Sequence, residues 1–252
     1  MSTEKFKAGL CSVSFRQHSP EEILREMKEA ELTFIEWGSD VHAPADNEEN
    51  LLKIADLQAE YGVECSSYGT YFRIGNTPKN ELPQYIRAAR ILGTNVLRLW
   101  CGTKGSESFY ECEKEAFFNL CRELAKTAKE EDMILAMECH AGTYTDKAAS
   151  ATELMEAVND PHFRMYWQPN QYRTATENMA QAKALAKYTM NIHAFNWEKS
   201  ERFSLREAVL VWQNYLKNFS GNETVLLEFM PDDSLCSLRK EADALRDIIA
   251  GG

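Results

Sequence analysis

Four short apolar runs in this chain carry, at or near their ends, a side chain able to bind a divalent cation: LAMEC at Glu138, RMYWQ at Gln168, MNIH at His193 and VLLEF at Glu228. Two carboxylates, one imidazole and one amide oxygen make a mixed nitrogen and oxygen donor set that suits manganese, magnesium, cobalt or zinc. Each has an ordinary structural reading when taken singly. A carboxylate at a strand end usually anchors a loop or pairs with a cation, and a histidine after an apolar strand is usually a satisfied core residue. Their recurrence points elsewhere. The four are separated by roughly 30, 25 and 35 residues, close to the length of one strand, one helix and two loops. They therefore fall at the ends of successive parallel strands, about 4.8 Å apart, where they can converge on one ion.

Eight strand-then-helix units supply that framework. The strands are KAGLCSVSF, LTFIEWGSD, VECSSYGTYFRIG, NVLRLWCGTKGSES, MILAMECHAGTYTD, FRMYWQPNQY, TMNIHAFNW and TVLLEFMPDD. The fourth ends in a glycine-containing loop that is a weak phosphate-cradle signal by itself. Ser19 and Pro20 open the first helix as N-cap and first-turn proline, Gly62 and Gly93 stop the second and third, and Asp146 is expected to cap the fifth. Pro169 belongs to a loop, because inside a central strand it would delete a ladder hydrogen bond. SLREAVLVWQNYLKNF reads as the most amphipathic helix, and LCSLRKEADALRDIIA closes the chain. Strict alternation means a parallel sheet. Eight units, with no GxGxxG fingerprint after the first strand, favour a single α/β (β/α)8 TIM barrel spanning residues 1–252 over an open doubly wound sheet.

Composition narrows the partners. The formal net charge of −11 argues against nucleic acid, which needs a basic surface. No apolar run is long enough to span a membrane, and MSTEKFKAGLCS lacks the apolar core of a signal peptide, so a cytoplasmic location is expected. The seven cysteines are scattered without a CxxC pair, which fits a reducing compartment. Cys11, Cys65, Cys101 and Cys139 read as small core residues. Trp212 and Tyr215 are as compatible with a homodimer face as with packing on the strands.

Functional residues of such a barrel gather at the C-terminal ends of its strands. Those ends carry, besides the four possible ligands, Glu36, Trp37, His42, Arg73, Arg98, Trp100, His140, Tyr144, Trp197 and Lys199, an acidic, aromatic-walled set suited to a polar small molecule. Arg73, Arg98 and Lys199 could receive a phosphate or carboxylate, His42 and His140 could shuttle protons or donate to hydroxyls, and Trp37, Trp100 and Trp197 could form an apolar wall. Surface ion pairing, loop packing and core filling are the corresponding structural readings.

The order and spacing of Glu138, position 168, His193 and Glu228, with the phrases IEWGSDVHAP, SYGTYFRIG, ECHAGTYTD, NIHAFNW and LLEFMPDD, resemble the xylose isomerase-like barrel superfamily. Within it, the likeness is to the sugar phosphate isomerase/epimerase group. The resemblance implies a divalent metal on Glu138, Gln168, His193 and Glu228. It also implies a sugar or sugar phosphate substrate, with Glu138 and Glu228 removing and returning a proton beside a carbonyl through an enediolate. The chemistry is sound on its own terms: a carbon acid beside a carbonyl reacts only if the developing oxyanion is stabilised and a base stands within about 3 Å of the proton.

Three departures stand out. Gln168 replaces the family's usual aspartate and brings no charge, Gln171 stands where the epimerases place a histidine, and Lys199 stands where they place an arginine. Two alternatives remain open: a metal-dependent dehydratase of a cyclic polyol or hydroxy acid, and a non-catalytic sugar-binding barrel.

Overall fold

The computed structural model describes residues 6–252. Eight parallel strands close into a barrel: β1 (Lys7–Cys11), β2 (Phe34–Gly38), β3 (Glu64–Arg73), β4 (Val96–Trp100), β5 (Ile134–Glu138), β6 (Phe163–Trp167), β7 (Thr189–Ala194) and, after a small hairpin formed by β8 (Trp197–Glu198) and β9 (Glu201–Arg202), β10 (Thr224–Leu227). The order around the barrel follows the chain, and β1 closes it by pairing with both β10 and β2. This is the (β/α)8 barrel expected from the alternation.

The strands read as continuous apolar runs because both of their faces are covered. VLRLW and TVLL are buried at every position. Val96, Ala136, Tyr166 and Leu226 pack with one another as a small separate core cluster, distinct from the larger one in which strands and helices share residues. Outside lie α1 (Pro20–Glu29), α2 (Glu48–Tyr61), α3 (Leu82–Ile91), α4 (Glu111–Glu130), α5 (Ala148–Val158), α6 (Ala175–Leu185), α7 (Val209–Leu216) and α8 (Leu238–Gly251). α1 shows how locally this layer is specified. Ser19 and Glu22 form a reciprocal capping box, Pro20 opens the helix, and Ile23, Leu24 and Met27 face the barrel, an arrangement in which two orphan amides are satisfied.

Several elements differ from expectation. The first strand stops at Cys11, and Ser12–Phe15 form a buried 3-10 turn; its apolar, buried sequence imitates a strand. Asp146 does not cap α5, whose N-cap is Lys147. It accepts instead from the Ser106 amide and hydroxyl, tying the loop after β5 to the loop after β4. SLREAVLVWQNYLKNF divides into a 3-10 turn, Leu205–Ala208, and the short α7, and with Leu210 exposed its faces separate less cleanly than those of α1.

Trp212 and Tyr215 do not form a dimer face. They are 1% and 4% exposed and pack edge-on against Trp167, with ring centroids 5.8 and 5.4 Å away. The β8–β9 hairpin was not anticipated, since its turn, Glu198-Lys199-Ser200-Glu201, contains no glycine and places Lys199 at φ 56°.

Cys11, Cys65, Cys101, Cys121 and Cys139 are buried, Cys112 and Cys236 are exposed, and none is paired. Among the described residues no helix is long and apolar enough to cross a membrane.

Candidate active site

At the C-terminal mouth of the barrel lies a cavity of about 260 Å³. Its charged and polar lining includes Arg16, Tyr71, Arg98, Glu138, His140, Gln168, Gln171 and Glu228, and Trp100, Phe195, Trp197 and Phe229 give it an aromatic wall.

Beneath it runs a buried ionic network. Glu36 on β2 accepts from Arg98 Nε on β4 at 3.0 Å and from Ser67 Oγ on β3 at 2.9 Å. Arg98 Nη1 donates to Glu138 Oε2 at 2.5 Å; Trp100 Nε1 donates to the same oxygen at 2.6 Å. His193 Nε2 lies 3.4 Å from Glu36 Oε1, an ionic approach but not a hydrogen bond, so this buried nitrogen has no hydrogen-bond partner. His193 Nδ1 faces Gln168 Oε1 at 3.1 Å and Glu228 Oε2 at 3.5 Å.

Neighbouring strands bring Glu36, Arg98 and Glu138 together from the inner face of the sheet, and Gly69 makes the room. A Cβ on Gly69 would stand 2.7 Å from Glu36 Oε1 and 2.8 Å from Arg98 Nη2.

The charges bias one another. Burial would raise the Glu36 carboxyl, but Arg98 and His193 outweigh it and hold Glu36 well below the usual carboxylate range. Burial opposes ionisation of Glu138 too, and Arg98, His193 and His140 bring its pKa down. Glu228 goes the other way: burial and the negative charges of Glu138 and Glu36 raise it against the pull of His193 and Arg98. Burial disfavours the charged form of His193, yet Glu228 and Glu36 raise its pKa.

The expected site set divides. Glu138, Gln168, Glu228, Arg98, Trp100, His140 and Trp197 line the cavity. His193 sits below its surface, fully buried among Glu36, Gln168 and Glu228. Glu36 is also fully buried and reaches the cavity lining through Arg98.

Trp37, His42, Arg73, Tyr144 and Lys199 do not line it, for identifiable reasons. Trp37 points into the helical layer, with Nε1 on Gln58. His42 is held between Ser12 and the His18 carbonyl. Tyr144 bonds Glu153. Arg73 lies over the Trp100 ring at 4.2 Å. Lys199, at the hairpin turn, faces a separate cleft.

Arg16, Phe195 and Phe229 are cavity residues that the sequence did not single out. Arg16 follows the 3-10 turn whose apolar sequence imitates a strand, and it is fixed by Asp40 and Tyr71 at 2.5 and 2.7 Å. Phe229 is aimed by a left-handed backbone, φ 58°, a feature without a sequence signature in a non-glycine residue.

As a donor set, Gln168 Oε1, His193 Nδ1 and Glu228 Oε2 fit a divalent cation: two oxygens and an imidazole nitrogen converge, and His193 Nε2 is left facing a carboxylate, Glu36, as metal-bound imidazoles usually require. Cys11 Sγ also comes within 4.8 Å of donor atoms of His193 and Glu228. Glu138 Oε2 is occupied by Arg98 and Trp100, and its second oxygen has no hydrogen-bond partner among the described residues.

The chain belongs to the xylose isomerase-like TIM barrel family, whose model matches residues 24–246. A 3-dehydroshikimate dehydratase of Bacillus anthracis is 26% identical over 174 residues, which cover 63% of this chain and 60% of that relative's length. Among solved structures, the probable 3-DHS dehydratase AsbF, involved in petrobactin synthesis in the same organism, superposes with a TM-score of 0.81 at 19% identity, covering 96% of this chain and 99% of the other. An IolI protein with a bound zinc atom gives 0.76 at 13% identity over 97% and 98%. At these identities the structural likeness defines the fold alone.

Proposed function

We propose that this chain is a divalent-cation-dependent enolising enzyme: it removes a proton from the carbon beside a carbonyl in a small polyhydroxylated compound, a sugar, sugar phosphate or related hydroxy-carbonyl. One observation carries the reading. Glu138 and Glu228 face the same small cavity, and they differ in environment so that one carboxylate is held ionised while the other is pushed toward protonation. Carboxylates with separated proton affinities are what an acid and base pair requires.

Glu138, held ionised and oriented by Arg98 and Trp100 on one oxygen, is the base that takes the proton on its other oxygen. Glu228, in its protonated form, gives a proton to the opposite face, leaving an isomer or epimer. A divalent cation on Gln168, His193 and Glu228 would supply Lewis-acid polarisation of the substrate carbonyl. Arg98 stays charged under all conditions and balances the growing negative charge, while Trp100 and Trp197 exclude water from the wall.

A second reading, dehydration, is favoured by His140. Its Nδ1 pairs with the Ala141 carbonyl at 2.7 Å, so Nδ1 carries the hydrogen and Nε2 is left available in the cavity. A protonated His140 can give its proton to a departing β-hydroxyl, so that water leaves and an enone remains. The dehydratase relative is consistent with this outcome.

Incubating the enzyme, with Mn²⁺, Mg²⁺, Co²⁺ or Zn²⁺, with a panel of ketoses, sugar phosphates and cyclic hydroxy-ketones in deuterated water separates these readings. Deuterium at the α-carbon with a new stereoisomer supports isomerisation or epimerisation, and an ultraviolet-absorbing enone supports dehydration. Binding without exchange across the panel leaves the non-catalytic barrel.

A further inference from the structure

Beside the catalytic cavity is a second cleft of about 620 Å³, and Pro169, Asn170, Gln171, Phe195 and Trp197 line both. The catalytic cavity is slightly smaller than the roughly 300–1,000 Å³ of ordinary small-molecule sites, whereas the second cleft falls within that range.

The two clefts meet at a built junction. The Lys199 amide donates to the Gln171 carbonyl at 3.0 Å, which docks the β8–β9 hairpin on the loop after β6. Lys199 holds this position at a left-handed φ of 56°, a conformation unfavourable for a non-glycine residue.

Three side chains on the cleft have nothing in the protein to hold. The Gln171 amide, the Lys199 ammonium and the Tyr172 ring and hydroxyl make no side-chain hydrogen bond, ion pair or ring contact with any described residue, and Tyr172 is 68% exposed. A planar amide, an aromatic face and a mobile multiple donor are what a pyranose ring asks for: its apolar face lies on the aromatic ring and its hydroxyls hydrogen-bond to the amide and ammonium.

We infer that the second cleft is a subsite for a second sugar ring, and that the substrate is a reducing disaccharide whose carbonyl-bearing residue, in its open-chain form, occupies the catalytic cavity. The inference rests on the enolising reading for which ring reacts, but not for the binding itself. Tyr172 is the platform, Gln171 and Lys199 read the hydroxyls, and Val211, 39% exposed and also lining the cleft, bounds the space.

The test is binding, read by ligand-observed NMR on the full chain with glucose, glucose 6-phosphate, maltose, cellobiose and trehalose as probes. At least one disaccharide should bind about tenfold or more tightly than glucose, and the gain should vanish in Tyr172→Ala and in Val211→Trp, with circular dichroism unchanged. Lys199→Ala should reduce it several-fold and Lys199→Arg should restore most of it. No disaccharide gain overturns the inference, as does a gain that survives both Tyr172→Ala and Val211→Trp. Preference for glucose 6-phosphate over every disaccharide also overturns it and assigns the cleft to an anion. Disaccharide gain with no α-proton exchange in deuterated water on maltose, cellobiose or the monosaccharides keeps the subsite and removes the enolising reading; exchange on monosaccharides without disaccharide gain does the reverse.

Discussion

Arg98 holds Glu138 through the same oxygen that Trp100 holds, at 2.5 and 2.6 Å, so one catalytic candidate is oriented by a cation that is itself 3% exposed and anchored on Glu36. The orientation of Glu138 is thus set from the adjoining strand β4, whose Arg98 is anchored in turn on β2.

Removing that cation leaves two buried carboxylates without their main partner. Arg98→Met should destabilise the fold by about 3–5 kcal/mol, measured by urea unfolding. If Glu36→Gln is added to the Arg98→Met variant, part of the loss should return; a double variant no better than the single would show that unpaired charge is not the cause.

Gly69 is required by close approach. Gly69→Ala would press a methyl group on Glu36 and Arg98, both buried and paired with each other, and should cost about 1–3 kcal/mol by overpacking. Thermal unfolding checks this, and an unchanged midpoint would mean that β3 shifts freely.

The two carboxylates should behave unequally. Glu228→Gln removes the acid that returns the proton and should lower turnover by about 10²–10⁴-fold with the fold intact. Glu138→Gln should also lower turnover, and it should cost stability as well, because Arg98 then loses a charged partner. Rates and unfolding curves on the same preparations separate the two effects.

Gln168 brings no charge to the donor set. Gln168→Asp should tighten divalent-ion binding on the order of tenfold, about 1.4 kcal/mol, by titration calorimetry. Saturating the native chain with its ion at about 100 times Kd should add about 2.7 kcal/mol of stability, which a chelator removes.

His42 gives a pH dependence away from the ligand set. Burial lowers its pKa below 6.5, outweighing its bonds to the His18 and Phe15 carbonyls. Its Nε2 donates to the His18 carbonyl while Nδ1 accepts from Ser12, so the folded state holds the neutral ring. Below pH about 6.5 the unfolded chain takes up a proton that the folded chain refuses, and stability rises with pH between the lowered folded value and the unfolded one. Unfolding midpoints at pH 5.5 and 7.5 should differ less in His42→Gln than in the native chain.

The amino-acid sequence by itself determined the alternation of eight units, the helix signals at Ser19, Pro20 and Gly62, and the identity of the residues at the ends of strands five to eight. These are local properties: hydrophobic period, capping chemistry and the position of a side chain relative to its own strand end. Only the tertiary structure decided which strand-end residues share a cavity. Trp37 and Tyr144 have the right types in the right stretches, yet they face the helical layer, because orientation across a barrel wall depends on pleat and local bulges such as the shift between Ile35 and Glu36. Lys199 was displaced to the second cleft by a hairpin that carries no turn signature. The network of Glu36, Arg98 and Glu138 joins positions 62 and 40 residues apart, and such contacts arise from barrel closure, which no local pattern encodes.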